Sequence, residues 1–173
     1  MAVLIGPPGA GKSTVGPLLA ERLGAGFRDT DADVAEAAGR PVSDIFIDEG
    51  EQAFRDLERA AAARALNNNQ ENSDVIALGS GAVLDPDTQR LLDGLPVVYL
   101  ATGFTTVARR LGLDRPRVVV PGNPRGRLRA MLEERRPLYE RLAAVTVTTD
   151  DADPDELAEQ IAGELAEREA NGK

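Results

Sequence analysis

The aliphatic run Ala2-Val3-Leu4-Ile5 leads directly into GPPGAGKST at residues 6–14, after which Val15, Leu18, Leu19 and Leu23 recur at helical spacing until Gly24. A strand, a glycine-rich loop and a helix in that order constrain the fold more than any other feature of the chain. The unit packs only as part of a parallel sheet whose crossovers are right-handed. The spacing Gly6-x4-Gly11-Lys12-Ser13 also has a chemical meaning. Glycines let backbone N–H groups crowd around phosphate oxygens at a helix N-terminus, the lysine reaches the β- and γ-phosphates, and the hydroxyl helps to hold Mg²⁺. Gly9, Ala10, Gly11, Lys12, Ser13 and Thr14 are the candidate nucleotide-binding residues, with Ser13 also a candidate metal ligand. A Gly/Pro-rich surface turn with a chance Gly-Lys-Ser would not explain the flanking strand and helix. Among 20 cationic residues only Lys12 and Lys173 are lysines, so the loop has kept a compact point charge where the rest of the chain uses arginine. Pro17 is the misfit, since proline inside a helix costs about 3 kcal/mol or forces a kink.

The rest of the composition narrows the chemistry. A chain of 173 residues, 42% hydrophobic, suits one domain with an aliphatic core spanning residues 1–173. No stretch approaches the roughly 20 apolar residues of a membrane span, and a first strand starting at residue 2 leaves no room for a signal peptide, so the expected location is the cytoplasm, away from membranes. Without cysteine or histidine there are no disulfides, thiolate nucleophiles, imidazole bases or Cys/His zinc sites. Carboxylates, Arg, Lys, hydroxyls and an oxygen-loving metal must do the work. A net charge of −9 disfavours nucleic acid as a partner.

Apolar runs at Ala2 to Ile5, Val75 to Leu78, Val97 to Leu100 and Val145 to Thr148 alternate with helical patterns, which predicts an α/β fold with a parallel sheet covered on both faces. A further strand at Gly26-Phe27-Arg28 would make five. Asn67 to Asp74 reads as a polar loop, and Asp85-Pro86 and Asp153-Pro154 read as helix starts. Residues 112–126, with Pro116, Pro121, Gly122 and Pro124, read as a long irregular excursion, and Arg115-Pro116-Arg117 within it favours a mobile lid over phosphates.

Ligands of open α/β sheets sit at the carboxyl ends of the strands. That places Asp29-Thr30-Asp31, Gly79-Ser80-Gly81 and the helix carrying Arg55 around the loop, the acceptor region spanning about 29–60. In extended chain Asp29 and Asp31 point the same way, one suited to hydrated Mg²⁺ and the other to the proton of an acceptor hydroxyl. Arg55 and Glu58, three apart, share a helix face, so Glu58 is placed to orient the Arg55 fork, although exposed pairs of this kind are usually worth little. Glu133 to Arg136 has the mixed charge of a solvent-facing helix.

In these motifs the chain resembles the shikimate kinase family nearly end to end: GPPGAGKST, D-T-D at 29–31, G-E-x-x-F-R-x-x-E at Gly50 to Glu58, L-G-x-G-A-V at Leu78 to Val83, R-P at Arg115 and R-x-P-L-Y at Arg135 to Tyr139. The resemblance implies a three-layer P-loop kinase fold with a five-stranded parallel sheet, acting as a monomer on ATP with Mg²⁺, and transfer of the γ-phosphoryl to the 3-hydroxyl of shikimate in aromatic amino acid biosynthesis. It further implies that Asp29 lies near the metal and that Asp31 binds shikimate hydroxyls and is the candidate base. Arg55 and Arg135 would fork the carboxylate, Gly79, Ser80 and Gly81 would line the ring, and Phe54 and Glu58 would shape the pocket. Arg115 would meet the transferring charge, and Arg110 with Pro154 would enclose adenine. The family usually has glycine where Ser80 stands, which would cost roughly 1–2 kcal/mol if the position needed positive φ. The segment between Arg110 and Arg115 is shorter than usual, and Asp153 stands where a basic residue is expected. A gluconate-type kinase shares the loop and fold, and a nucleotide-binding regulatory module without phosphotransfer is the reading from another class.

Overall fold

The computed structural model describes residues 1–72, 74–114 and 123–171. Its chain runs through β1 (Ala2–Ile5), α1 (Lys12–Leu23), β2 (Phe27–Asp29), α2 (Thr30–Ala38), α3 (Val42–Asp48), α4 (Gly50–Asn72) and β3 (Val75–Ala77). A short 3₁₀ turn (Ala82–Leu84) precedes α5 (Pro86–Leu92), β4 (Val97–Ala101), α6 (Phe104–Arg110), α7 (Pro124–Leu142), β5 (Val145–Thr148) and α8 (Pro154–Asn171).

The strands form one parallel sheet in the order β2-β3-β1-β4-β5, with β1 in the middle between β3 and β4. Successive residues of a strand point to opposite faces, and the two cores follow that alternation. Ala2 and Leu4 of β1 pack with Leu19 of α1 and Ile161 of α8 on one face. Val3 and Ile5 pack with Ala62 and Leu66 of α4, Leu92 of α5 and Tyr139 of α7 on the other. Aliphatic side chains fill most of this volume, and the stacked rings of Tyr99 and Tyr139, 5.1 Å apart, are the aromatic contribution to the second core. No helix among the described residues is long and apolar enough to cross a membrane.

Several expected boundaries shift. The second strand is Phe27–Asp29, one residue later than the sequence suggested, and it is directly continuous with α2. The polar stretch from Asn67 is not a loop up to residue 72, because α4 carries on through Asn72. Its apolar stripe, Ala62, Ala65 and Leu66, already fixes the helix against the sheet, and the following asparagines ride on its last turns. At the other end of the expected excursion, Asn123 caps α7 by accepting from the Gly126 amide at 2.8 Å, so residues 124–126 are helical. Residues 115–122, with Arg115, lie outside the described residues. Pro17 lies inside α1 without ending it, and it offers no N–H to the Ser13 carbonyl. Asp85 caps α5 through the Thr88 amide and Asp153 caps α8 through the Asp155 amide, as the Asp-Pro pairs predict.

Candidate active site

The phosphate loop leaves β1 and enters α1 with Gly11 as the N-cap in left-handed backbone, φ +98, a conformation glycine adopts at little cost. Gly6 is needed for a second reason, since a Cβ there would lie 2.8 Å from the Leu100 carbonyl of β4. Lys12, the first residue of α1, is buried, and its ammonium donates to the Gly6 and Pro7 carbonyls at 2.9 and 3.1 Å. Burial pulls its pKa down to about 8, against the opposing pull of Asp31, Asp29 and Glu58. The loop faces a cleft of about 600 Å³ whose other walls include Asp29, Asp31, Ser80, Arg110 and Pro154.

Asp29 ends β2 and caps α2. Its Oδ1 accepts from the Asp31 amide at 3.0 Å, while its Oδ2 accepts from the Ser13 hydroxyl at 2.5 Å. A carboxylate and a hydroxyl in contact form an all-oxygen pair that suits Mg²⁺, which keeps most of its waters and takes substrate phosphates for the rest. Among the described residues no group of three or more His, Cys, Asp or Glu side chains could enclose a metal unaided. The expected extended D-T-D is corrected by this arrangement. Thr30 and Asp31 already belong to the first turn of α2, so a helix cap, and not strand alternation, brings both carboxylates to the loop.

Burial raises the pKa of Asp31, with Lys12 opposing and Asp29 adding to the rise. A Cβ placed on Gly79 would lie 2.6 Å from Asp31 Oδ1 and 2.5 Å from Glu58 Oε1, so the turn after β3 runs hard against both carboxylates. Glu58 is not the exposed partner that its spacing allowed. It is 2% exposed, its Oε2 takes Arg55 Nη1 at 2.6 Å and its Oε1 takes the Gly81 amide at 3.0 Å. Arg55 also reaches Glu51 at 3.3 Å and lies over the Phe54 ring at 5.3 Å, and Phe54 itself is buried with Val34, Ile45 and Ala61.

On the far side of the turn, the Ser80 carbonyl accepts from the Tyr139 hydroxyl at 2.8 Å and, at the long distance of 3.5 Å, from Arg135 Nη1. Arg55 and Arg135 therefore reach Gly79-Ser80-Gly81 from α4 and α7, two guanidinium forks flanking one turn. Arg110 donates to the Gly9 carbonyl at 2.9 Å and to the Thr149 carbonyl at 3.0 Å, and lines the same cleft as Pro154.

A sequence model of the shikimate kinases matches residues 8–166. The chain belongs to the shikimate kinase family. A shikimate kinase of Thermobifida fusca is 53% identical over 95% of this chain and 94% of its own length, and that of Streptomyces coelicolor is 48% identical over 98% of both. Among solved structures, the shikimate kinase of Acinetobacter baumannii in complex with shikimate superposes with a TM-score of 0.85 at 34% identity, covering 96% of this chain and 93% of that one. The five-stranded parallel sheet with helices on both faces is the shikimate kinase P-loop fold.

Within this kinase fold, Lys12, Ser13, Asp29, Asp31, Ser80, Arg110 and Pro154 converge on one cleft. Arg55, Glu58, Gly79, Gly81 and Arg135 join it through the turn after β3. Ser80 carries no backbone strain, because Asp151 is the only non-glycine residue with positive φ among those described. Gly79 and Gly81 leave room for the charged side chains packed on them, a Cβ on Gly81 displacing the Arg55 guanidinium and one on Gly79 crowding Asp31 and Glu58. Sequence reasoning assigned no role to Thr30, Tyr139 or Thr149, each of which holds a backbone group or an arginine of the site. Tyr139 and Thr30 lay inside quoted motifs, whereas Thr149 had no local signal.

Proposed function

We propose that the chain transfers the γ-phosphoryl group of ATP to the 3-hydroxyl of shikimate, giving shikimate 3-phosphate and ADP, as a monomer in the cytoplasm with only small molecules as partners. The observation that carries this reading is the shared cleft: a buried lysine of a phosphate loop and a carboxylate with raised pKa face the same space, with two guanidiniums at its edge.

In-line transfer through a loose transition state asks the protein for placement and charge compensation. Lys12 exchanges the Gly6 and Pro7 carbonyls for phosphate oxygens, keeping its ammonium hydrogen-bonded throughout. Ser13 and Asp29 are the residues that would hold Mg²⁺, which supplies charge neutralisation of the β- and γ-phosphoryl groups when bound with ATP. Asp31 accepts the hydroxyl proton of the acceptor, and its raised pKa makes it a better proton acceptor than an ordinary aspartate. Arg55 and Arg135 pair with the acceptor carboxylate, and Glu58 holds the Arg55 fork in place from below.

ADP release from Mg·ATP, measured with shikimate, with gluconate and with neither, tests the reading. Release dependent on shikimate supports it. Release dependent on gluconate reassigns the acceptor, and tight ATP binding with no stimulation by either acid turns the chain into a nucleotide-binding module.

A further inference from the structure

The turn after β3 is held by side chains from three helices. Thr30 Oγ1 of α2 accepts from the Gly79 amide at 2.8 Å, Glu58 Oε1 of α4 from the Gly81 amide at 3.0 Å, and the Tyr139 hydroxyl of α7 donates to the Ser80 carbonyl at 2.8 Å. These anchors are themselves almost wholly buried, so none has water as an easy alternative partner. The turn's remaining carbonyls are also occupied, that of Gly79 by the Ala82 amide and that of Gly81 by the Leu84 amide. Ser80 is thus fixed in place while its own amide and hydroxyl have no partner among the described residues, and it lines the cleft beside Lys12 and Asp31.

We propose that the Ser80 hydroxyl is a specificity-determining contact of this chain with one of the non-reacting ring hydroxyls of the acceptor. The inference rests on the reading of shikimate as acceptor and adds which side chain distinguishes its oxygens. Placement favours the acceptor over the nucleotide. The turn runs against Asp31, 2.6 Å from where a Gly79 Cβ would be, so the next residue stands beside the carboxylate assigned to the acceptor. Chemistry favours it too. A serine hydroxyl donates and accepts and so complements a polyol, whereas phosphate oxygens only accept and already face the loop amides and Lys12. The ionised Asp31 can accept from ring hydroxyls but cannot donate to them, and Ser80 supplies the missing donor.

The test compares steady-state kinetics of the unsubstituted protein, Ser80→Ala and Ser80→Gly with shikimate and with its 4-deoxy and 5-deoxy analogues. One lost hydrogen bond corresponds to a rise of about 2- to 12-fold in KM for shikimate. The expected result is that rise in both variants, an unchanged KM for ATP, and disappearance of the penalty with one deoxy analogue, whose missing hydroxyl leaves the serine nothing to bind. Unchanged KM for shikimate, an equal penalty with both analogues, or a shift in the KM for ATP instead overturns the inference. If the unsubstituted protein releases no ADP in response to shikimate, the acceptor reading falls and takes the inference with it. If it responds and both variants match it, only the role of Ser80 falls.

Discussion

Raising the pH from 7 to 9 weakens nucleotide binding by about tenfold, a consequence of how Lys12 is held before any phosphate arrives. Burial has brought its pKa to about 8, while the Gly6 and Pro7 carbonyls give the ammonium dipoles but no counter-charge. A bound polyphosphate supplies that counter-charge and lifts the pKa again. The nucleotide therefore selects the protonated protein, about nine-tenths of the molecules at pH 7 and about one-tenth at pH 9. Calorimetric titration with ADP in buffers of different ionisation enthalpy measures both consequences, the loss of affinity and an uptake of about half a proton per nucleotide at pH 8. Affinity that stays flat from pH 7 to 9, or heats that do not depend on the buffer, would refute the reasoning. Folding stability carries the opposite sign. With the folded pKa below the ordinary 10.5, the unfolded chain binds more protons across the window from about 8 to 10.5, so the nucleotide-free protein gains stability as the pH rises through it. The gain is roughly 3 kcal/mol. Urea unfolding reads the rise most cleanly below about pH 9.5, where the chain's one other lysine, Lys173, is the only further lysine to consider. Above that the two tyrosines, whose pKa burial raises, subtract from it, because the unfolded chain loses their protons first.

Other substitutions separate the two halves of the cleft. Glu58→Gln keeps an acceptor for the Gly81 amide but removes the charge that holds Arg55, and a charge-assisted hydrogen bond worth about 1.5–3 kcal/mol corresponds to a rise of about 10- to 100-fold in KM for shikimate, with ADP affinity within twofold of the parent by calorimetry. Gly81→Ala pushes a methyl group into the Arg55 guanidinium, so acceptor saturation should be lost while ADP still binds; a normal KM for shikimate would contradict the close packing. Arg115→Ala, argued from its motif, should lower turnover by about 10³–10⁵ if it acts as an arginine finger while leaving ATP binding nearly intact, and unchanged turnover would end that assignment.

The legibility of these features in the sequence divides along physical lines. The phosphate loop was readable, since a contiguous strand, loop and helix contain its parts, although the clash that forbids a Cβ on Gly6 comes from the Leu100 carbonyl of β4. Asp29 and Asp31 were identified as residues, but the backbone that aims them was misjudged, because Asp29 is at once a strand end and a helix cap and period-two alternation has no way to announce that. Glu58 looked like a surface partner since spacing on a helix says nothing about which face is covered; only the turn packed on top of it makes it a buried acceptor. Thr30 and Tyr139 act on backbone atoms 49 and 59 residues away, and Thr149 accepts from Arg110 39 residues away, contacts with no sequence periodicity.

That division sets an order of assembly. The phosphate loop is written into one short segment and closes over a few residues, whereas the turn at 79–81, proposed to face the acceptor, is fully anchored only when chain positions 30, 58 and 139 have all met there. Long closures are costly until every partner is in place. A molecule in which α7 has frayed can keep its nucleotide while losing any means of recognising an acceptor, so the ability to choose a substrate is the more perishable of its two skills. Hydrogen exchange should show it, with the amide of Gly81 opening at a lower free energy than that of Val15 at the start of α1.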